Sequence, residues 1–179
     1  MEFHKDLAAR QEARDLTRQA EKAQHLLADF PQEKLDAIVE AIASAFSAQA
    51  EALAKLAVEE TGFGNVPDKT TKNRFASETV AKAVRGMKTV GLLRKRAEEG
   101  IWEIGVPVGV IAAIVPSTNP TSTVCYKALI ALKAGCAIVF YPHPKAARCT
   151  RQAAELLHLP QRHQLRAAQH HIHIQGGGG

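Results

Sequence analysis

Aromatic side chains make up only 5% of this 179-residue sequence. That scarcity removes the stacking surface that single-stranded nucleic acid needs. Cysteines number three, Cys125, Cys136 and Cys149. An odd count without paired spacing excludes a disulfide framework and points to reduced thiols in the cytoplasm. Long hydrophobic runs are also missing. The longest, residues 106–115, contains Pro107 and is too short to cross a bilayer. Residues 1–14 are charged and lack the apolar stretch of an export signal. The net charge is only +5, and basic residues are interleaved with acids. The one basic run, Arg94-Lys95-Arg96, is followed at once by Glu98 and Glu99. Neither a nucleic-acid groove nor a membrane surface is expected.

What is abundant is alanine and amphipathic periodicity, both of which favour helices. Leu7, Ala8, Ala20, Ala23, Leu26 and Leu27 recur at helical spacing over residues 5–28. Phe30-Pro31 breaks that pattern. A second helix starts at Gln32, with Leu35, Ile38, Val39, Ile42, Ala43 and Phe46 on one face. A third covers residues 48–60 and ends on the glycines of TGFG, residues 61–64. A fourth begins near Asp68 and passes Phe75, Val80 and Val84.

The texture changes near residue 100. Residues 101–104, IWEI, read as a short strand, and residues 108–115 as an apolar, β-branched strand covered on both faces. Pro116-Ser117-Thr118-Asn119-Pro120 is a loop in which Asn119 can cap a helix that has Pro120 at its first position. That helix closes on Ala134-Gly135. Residues 137–140 form a second buried strand, Tyr141-Pro142-His143-Pro144 a second loop, and residues 145–157 a last helix. The pattern is α/β: amino-terminal helices (1–100), then a partial Rossmann-type βαβα unit (101–157). Two parallel strands do not make a stable sheet, and no further strand is expected in this chain.

Residues 158–179 are a different material. Five of the eight histidines and the terminal Gly176 to Gly179 lie there, without apolar periodicity. The expectation is a disordered tail from a shifted reading frame or a cloning remnant. The run His170-His171-Ile172-His173 could pick up a metal adventitiously, but no cluster completes a first shell and no metal site is expected.

Three segments carry a specific resemblance: VPVGVIAAIVPSTNPTSTV (106–124), KALIALKAG (127–135) and AIVFYPHPKA (137–146). With EETGFG (59–64) and DKTTKNRFA (68–76), they make residues 5–157 resemble the aldehyde dehydrogenase superfamily, and within it the CoA-acylating branch. The resemblance implies an aldehyde dehydrogenase-like fold, truncated here, and oxidation of a small aldehyde with NAD and coenzyme A through a cysteine thioester. It implies that Pro116, Ser117, Thr118 and Asn119 border the nicotinamide side, with Thr118 and Asn119 on the side of the substrate oxyanion. Tyr141, Pro142, His143 and Pro144 would border the adenosine ribose. Hydrolytic relatives place an asparagine where Thr118 stands, and often a lysine where Tyr141 stands. On the residues alone, Pro116, Asn119, Pro142 and Pro144 are equally well read as loop punctuation and caps.

The same resemblance puts the nucleophilic cysteine in a later domain, beyond this chain. Cys125, Cys136 and Cys149 read as small apolar packers. Two functions remain open. One is a fragment of an acylating aldehyde dehydrogenase, inactive alone. The other is a non-catalytic module that forms a homo-oligomer or pairs with a full-length paralogue. Acetaldehyde, propionaldehyde and sulfoacetaldehyde stay open as substrates, as does NAD against NADP.

Overall fold

The computed structural model describes residues 3–157 and 172–174. Helices α1 (Phe3–Ala28), α2 (Gln32–Ala48) and α3 (Ala50–Thr61) open the chain. On α1 only the second half is anchored: Ala20, Ala23 and Leu27 are buried, whereas Leu7 is 48% exposed. The expected amphipathic helix is present, but its first turns have no core to face. Helix α2 buries Leu35, Ile38, Val39, Ile42 and Phe46, the i, i+3, i+4 stripe its sequence shows. Gly62 ends α3 in the left-handed region at φ 69°, a conformation that costs other residues about 1 kcal/mol or more.

Asn65 caps α4 (Val66–Arg74) by accepting a hydrogen bond from the Asp68 amide. The helix then widens into a π-helical turn at Phe75–Thr79 before α5 (Val80–Val84). Such turns occur often at functional sites.

Strand β1 (Gly91–Arg96) pairs antiparallel with β2 (Ile101–Gly105), with a register shift between Leu92 and Arg94. No strand is expected from the sequence before Ile101, so β1 is a correction. GLLRKR shows no alternation to announce one, and the pairing with β2 creates it. The hairpin stands off the body, with Trp102 and Ile104 exposed.

The second sheet is parallel, in the order β3 (Val110–Val115), β4 (Ala137–Pro142), β5 (Ile172–Ile174). Helix α6 (Pro120–Lys133) is the crossover, and α7 (Ala147–Glu155) follows β4. Gly135, at φ 69°, turns the chain out of α6, and a side chain there would press on Pro107. Strand β5 corrects the expectation of two strands only: Ile172, His173 and Ile174 pair with Ile138, Val139 and Phe140. The rest of the expected disordered tail, with its histidine run apart from residues 172–174, lies outside the described residues.

One face of the sheet is closed by α6, through Val124, Ala128, Leu129 and Leu132 against Ala113, Val115, Ile138 and Phe140. The other face is covered only in part. Ala20 of α1 packs on Ala137 and Val139, while Ile114 is 74% exposed. The expected burial of residues 108–115 on both faces is therefore corrected. Helix α1 crosses β4 and leaves the exit end of β3 open. No single helix among the described residues is long and apolar enough to cross a membrane.

Candidate active-site loops and groove

Parallel pairing aligns Val115 with Pro142, so the two strands end side by side. The His143 amide donates to the Val115 carbonyl at 2.9 Å and ties the second loop to the root of the first. Residues 116–119 and 141–144 thus share one rim at the carboxyl ends of β3 and β4. That is where open α/β sheets bind ligands. Pro116, Thr118, His143 and Pro144 are exposed, and Ser117, Asn119, Tyr141 and Pro142 are half-buried. Tyr141 leans on the cluster formed by Ala20, Ala137 and Val139. His143 uses Nδ1 to accept from the Lys145 amide, capping the short 3-10 turn Pro144–Ala146.

Pro120 opens α6 as expected, but the Asn119 side chain makes no cap hydrogen bond. This corrects the cap reading of Asn119. Its Oδ1 instead accepts from Lys72 Nζ at 3.2 Å. The preceding carbonyl, of Thr118, accepts from Lys69 Nζ at 2.6 Å. Lys69 and Lys72 lie one helical turn apart on α4, so a single helix face holds two successive loop residues. Lys69 is buried. Desolvation, then the nearby Lys72 charge, hold its ammonium below the usual lysine range. Asn73, next on the same helix, is fully enclosed. It donates to the Ala50 carbonyl at 2.8 Å and accepts from the Thr121 hydroxyl at 2.9 Å.

Beside Asn119 opens a groove of about 600 Å³, walled by Thr71, Lys72, Phe75, Val80, Thr123 and Tyr126 among others. Phe75 sits on the π-helical turn and presents its ring at 61% exposure. Lys69, Lys72 and Phe75 all fall within DKTTKNRFA, for which the resemblance implies no site role. Their i, i+3, i+6 spacing, which puts Lys69 and Lys72 on one side of α4 and Phe75 on the turn just beyond it, is the signal for them.

All three cysteines are buried. Burial pushes the Cys125 thiol far up. Burial, then the nearby Glu60 carboxylate, push Cys149 up to about 12. The Glu60 carboxylate itself caps α7, accepting from the Arg148 and Cys149 amides at 2.8 and 2.6 Å. A thiolate, the reactive form, is thus suppressed at Cys125 and Cys149. Iodoacetamide at neutral pH is expected to leave the folded chain unlabelled and to modify all three thiols in urea. Rapid single labelling of the native chain, read by mass spectrometry, contradicts this.

The chain is similar to known proteins over most of its length. The family model "Aldehyde dehydrogenase family" matches residues 4–161. The bifunctional aldehyde-alcohol dehydrogenase AdhE of Escherichia coli is 45% identical over 142 residues, 79% of this chain and 16% of that protein. An acetylating aldehyde dehydrogenase from Geobacillus thermoglucosidasius superposes with a TM-score of 0.89 at 48% identity, over 94% of this chain and 37% of that one. The Rhodopseudomonas palustris propionaldehyde dehydrogenase with bound propionyl-CoA gives 0.76 at 30% identity, over 89% and 35%. This chain therefore spans well under half the length of each of these relatives, and it belongs to the aldehyde dehydrogenase family, with acylating enzymes among its relatives.

Proposed function

We propose that this chain forms the cofactor-side rim and one wall of the aldehyde groove of an NAD-dependent acylating aldehyde dehydrogenase. The whole enzyme would convert an aldehyde and coenzyme A to an acyl-CoA through a cysteine thioester. The observation that carries this is the alignment of Val115 with Pro142, which brings loops 116–119 and 141–144 together beside the groove. NAD, when bound, accepts hydride from the substrate.

The residues present fit that group as far as they extend. The rim is exposed at Pro116, Thr118, His143 and Pro144, and it lies at the strand ends where a dinucleotide is held. Pro116 and Ser117 would border the nicotinamide side. Thr118 and Asn119 would face the substrate oxygen. Tyr141, Pro142, His143 and Pro144 would border the ribose. The apolar wall of Phe75, Val80 and Tyr126 suits the carbon chain of a small aldehyde.

Because the thiols here are buried, this chain alone has no nucleophile to form the thioester, and we assign it no turnover. The second reading, a module that self-associates or pairs with a full-length paralogue in the cytoplasm, is favoured by one feature. Trp102, Ile104, Val106 and Val108 form an exposed apolar stretch from the hairpin onward.

Calorimetric titration of NAD into the purified chain, with light scattering on the same sample, tests the proposal. Saturable one-site heat from a monodisperse sample is expected. A folded, monodisperse sample that gives no heat overturns cofactor binding by this chain and leaves the module reading.

A further inference from the structure

Lys69 is a buried cation with no carboxylate acting on it among the described residues. Burying an ammonium without a counter-charge is unfavourable, so such groups are retained where their charge acts on something. Its hydrogen bond goes to the Thr118 carbonyl. The peptide that follows is trans and planar, so the Asn119 N–H points away from the carbonyl and hence away from Lys69. That N–H has no acceptor among the described residues. Pulling on the carbonyl with a cation polarises the peptide and makes its N–H the stronger donor. Lys72 acts on the same residue from its other end. By donating to Oδ1 it leaves Nδ2, a donor, as the free end of the Asn119 side chain. An asparagine before Pro120 would ordinarily cap α6, and this one does not.

From this geometry we infer that Lys69 and Lys72 are positioning residues that turn both N–H donors of Asn119 toward the carbonyl oxygen of a bound aldehyde. The inference rests on the reading of the groove as the aldehyde site. It adds that Asn119 supplies a backbone and a side-chain donor, each set by one lysine of α4. Neither lysine needs to touch the substrate.

The test uses the full chain labelled with nitrogen-15 and titrated with acetamide, a neutral carbonyl compound of aldehyde size. The backbone and side-chain amide signals of Asn119 are followed in the wild type and in Lys69→Met, Lys72→Met and Lys72→Arg. Acetamide is expected to move both signals saturably in the wild type. Either methionine variant should weaken its binding by roughly three- to tenfold, as for loss of one neutral hydrogen bond from Asn119 to the ligand. Lys72→Arg, which keeps a donor, should bind within about threefold of wild type. Lys72 is exposed, so Lys72→Met decides the matter if Lys69→Met does not fold. Equal acetamide binding and equal Asn119 shifts in wild type and variants overturn the positioning role and leave the aldehyde groove standing. A wild type in which acetamide moves no signal from Asn119 or the groove overturns the groove reading itself, and the inference with it.

Discussion

Replacing Asp36 by alanine is expected to destabilise the chain by about 3 kcal/mol, the low end of the range for buried ion pairs, because Lys133 is buried while the Asp36 side chain is 37% exposed. Lys133, on the last turn of α6, has only 4% of its side chain exposed, and its Nζ lies 2.5 Å from Asp36 Oδ1 on α2. Removing the carboxylate strands a buried ammonium. The same oxygen also accepts from Gln32 Nε2 at 2.8 Å. Gln32 Oε1 in turn accepts from the amides of Thr89 and Val90, and the Thr89 hydroxyl donates to the Lys133 carbonyl. One small polar network thereby joins α2, α6 and the segment leading into the hairpin. At a few degrees per kcal/mol for a chain of this size, the melting temperature should fall by about 10 °C. Replacing the pair together, Asp36→Leu with Lys133→Met, should recover most of the loss, because no charge is left unpaired. If Asp36→Ala melts within about 2 °C of wild type, the pair contributes nothing, and Lys133 must reach water when the partner goes.

Asn73→Ala is expected to cost about 2–3 kcal/mol, since it leaves both the Ala50 carbonyl and the Thr121 hydroxyl without their buried partner. It should reach the site as well. Thr121 is the second residue of α6, directly after the loop that ends at Asn119. Asn73 therefore fixes where that loop leaves the helix. On the proposed reading the variant binds NAD more weakly than wild type, by about tenfold, at temperatures where circular dichroism shows it still folded. Asn73→Asp distinguishes the two effects. Its carboxylate can still accept from Thr121 but cannot donate to Ala50, so it should keep more binding than stability. Wild-type stability in Asn73→Ala, measured by urea denaturation, contradicts the assigned role of the amide.

Much of this architecture is legible in one dimension. The stripe on α2, Pro120 at the start of α6, the glycine after it and the β-branched run before it all specify local conformation through sterics and periodicity. The loops at 116–120 and 141–144 follow from the same punctuation. Several features were not legible because they depend on distant partners. GLLRKR is a strand only because IWEIG lies alongside it. Ile172–Ile174 becomes a strand by joining β4 from a histidine-rich segment with no pattern of its own. Ile114 reads as a core residue, yet helix α1 happens to cross the sheet one strand away.

The same division runs through the site. Near neighbours along the chain already fix the helical segments, strands β2 to β4 and which loops lie at the strand ends, because these follow from local sterics and periodicity. The role of Asn119, by contrast, depends on packing between distant segments. A capping asparagine before a proline is the local optimum, and Lys72, 47 positions away in the chain, overrides it by donating to the Asn119 side-chain oxygen, while Lys69 holds the preceding Thr118 carbonyl. A hydrogen bond to a charged donor is stronger than a neutral cap, and only the folded packing of α4 against the loop brings those donors within reach.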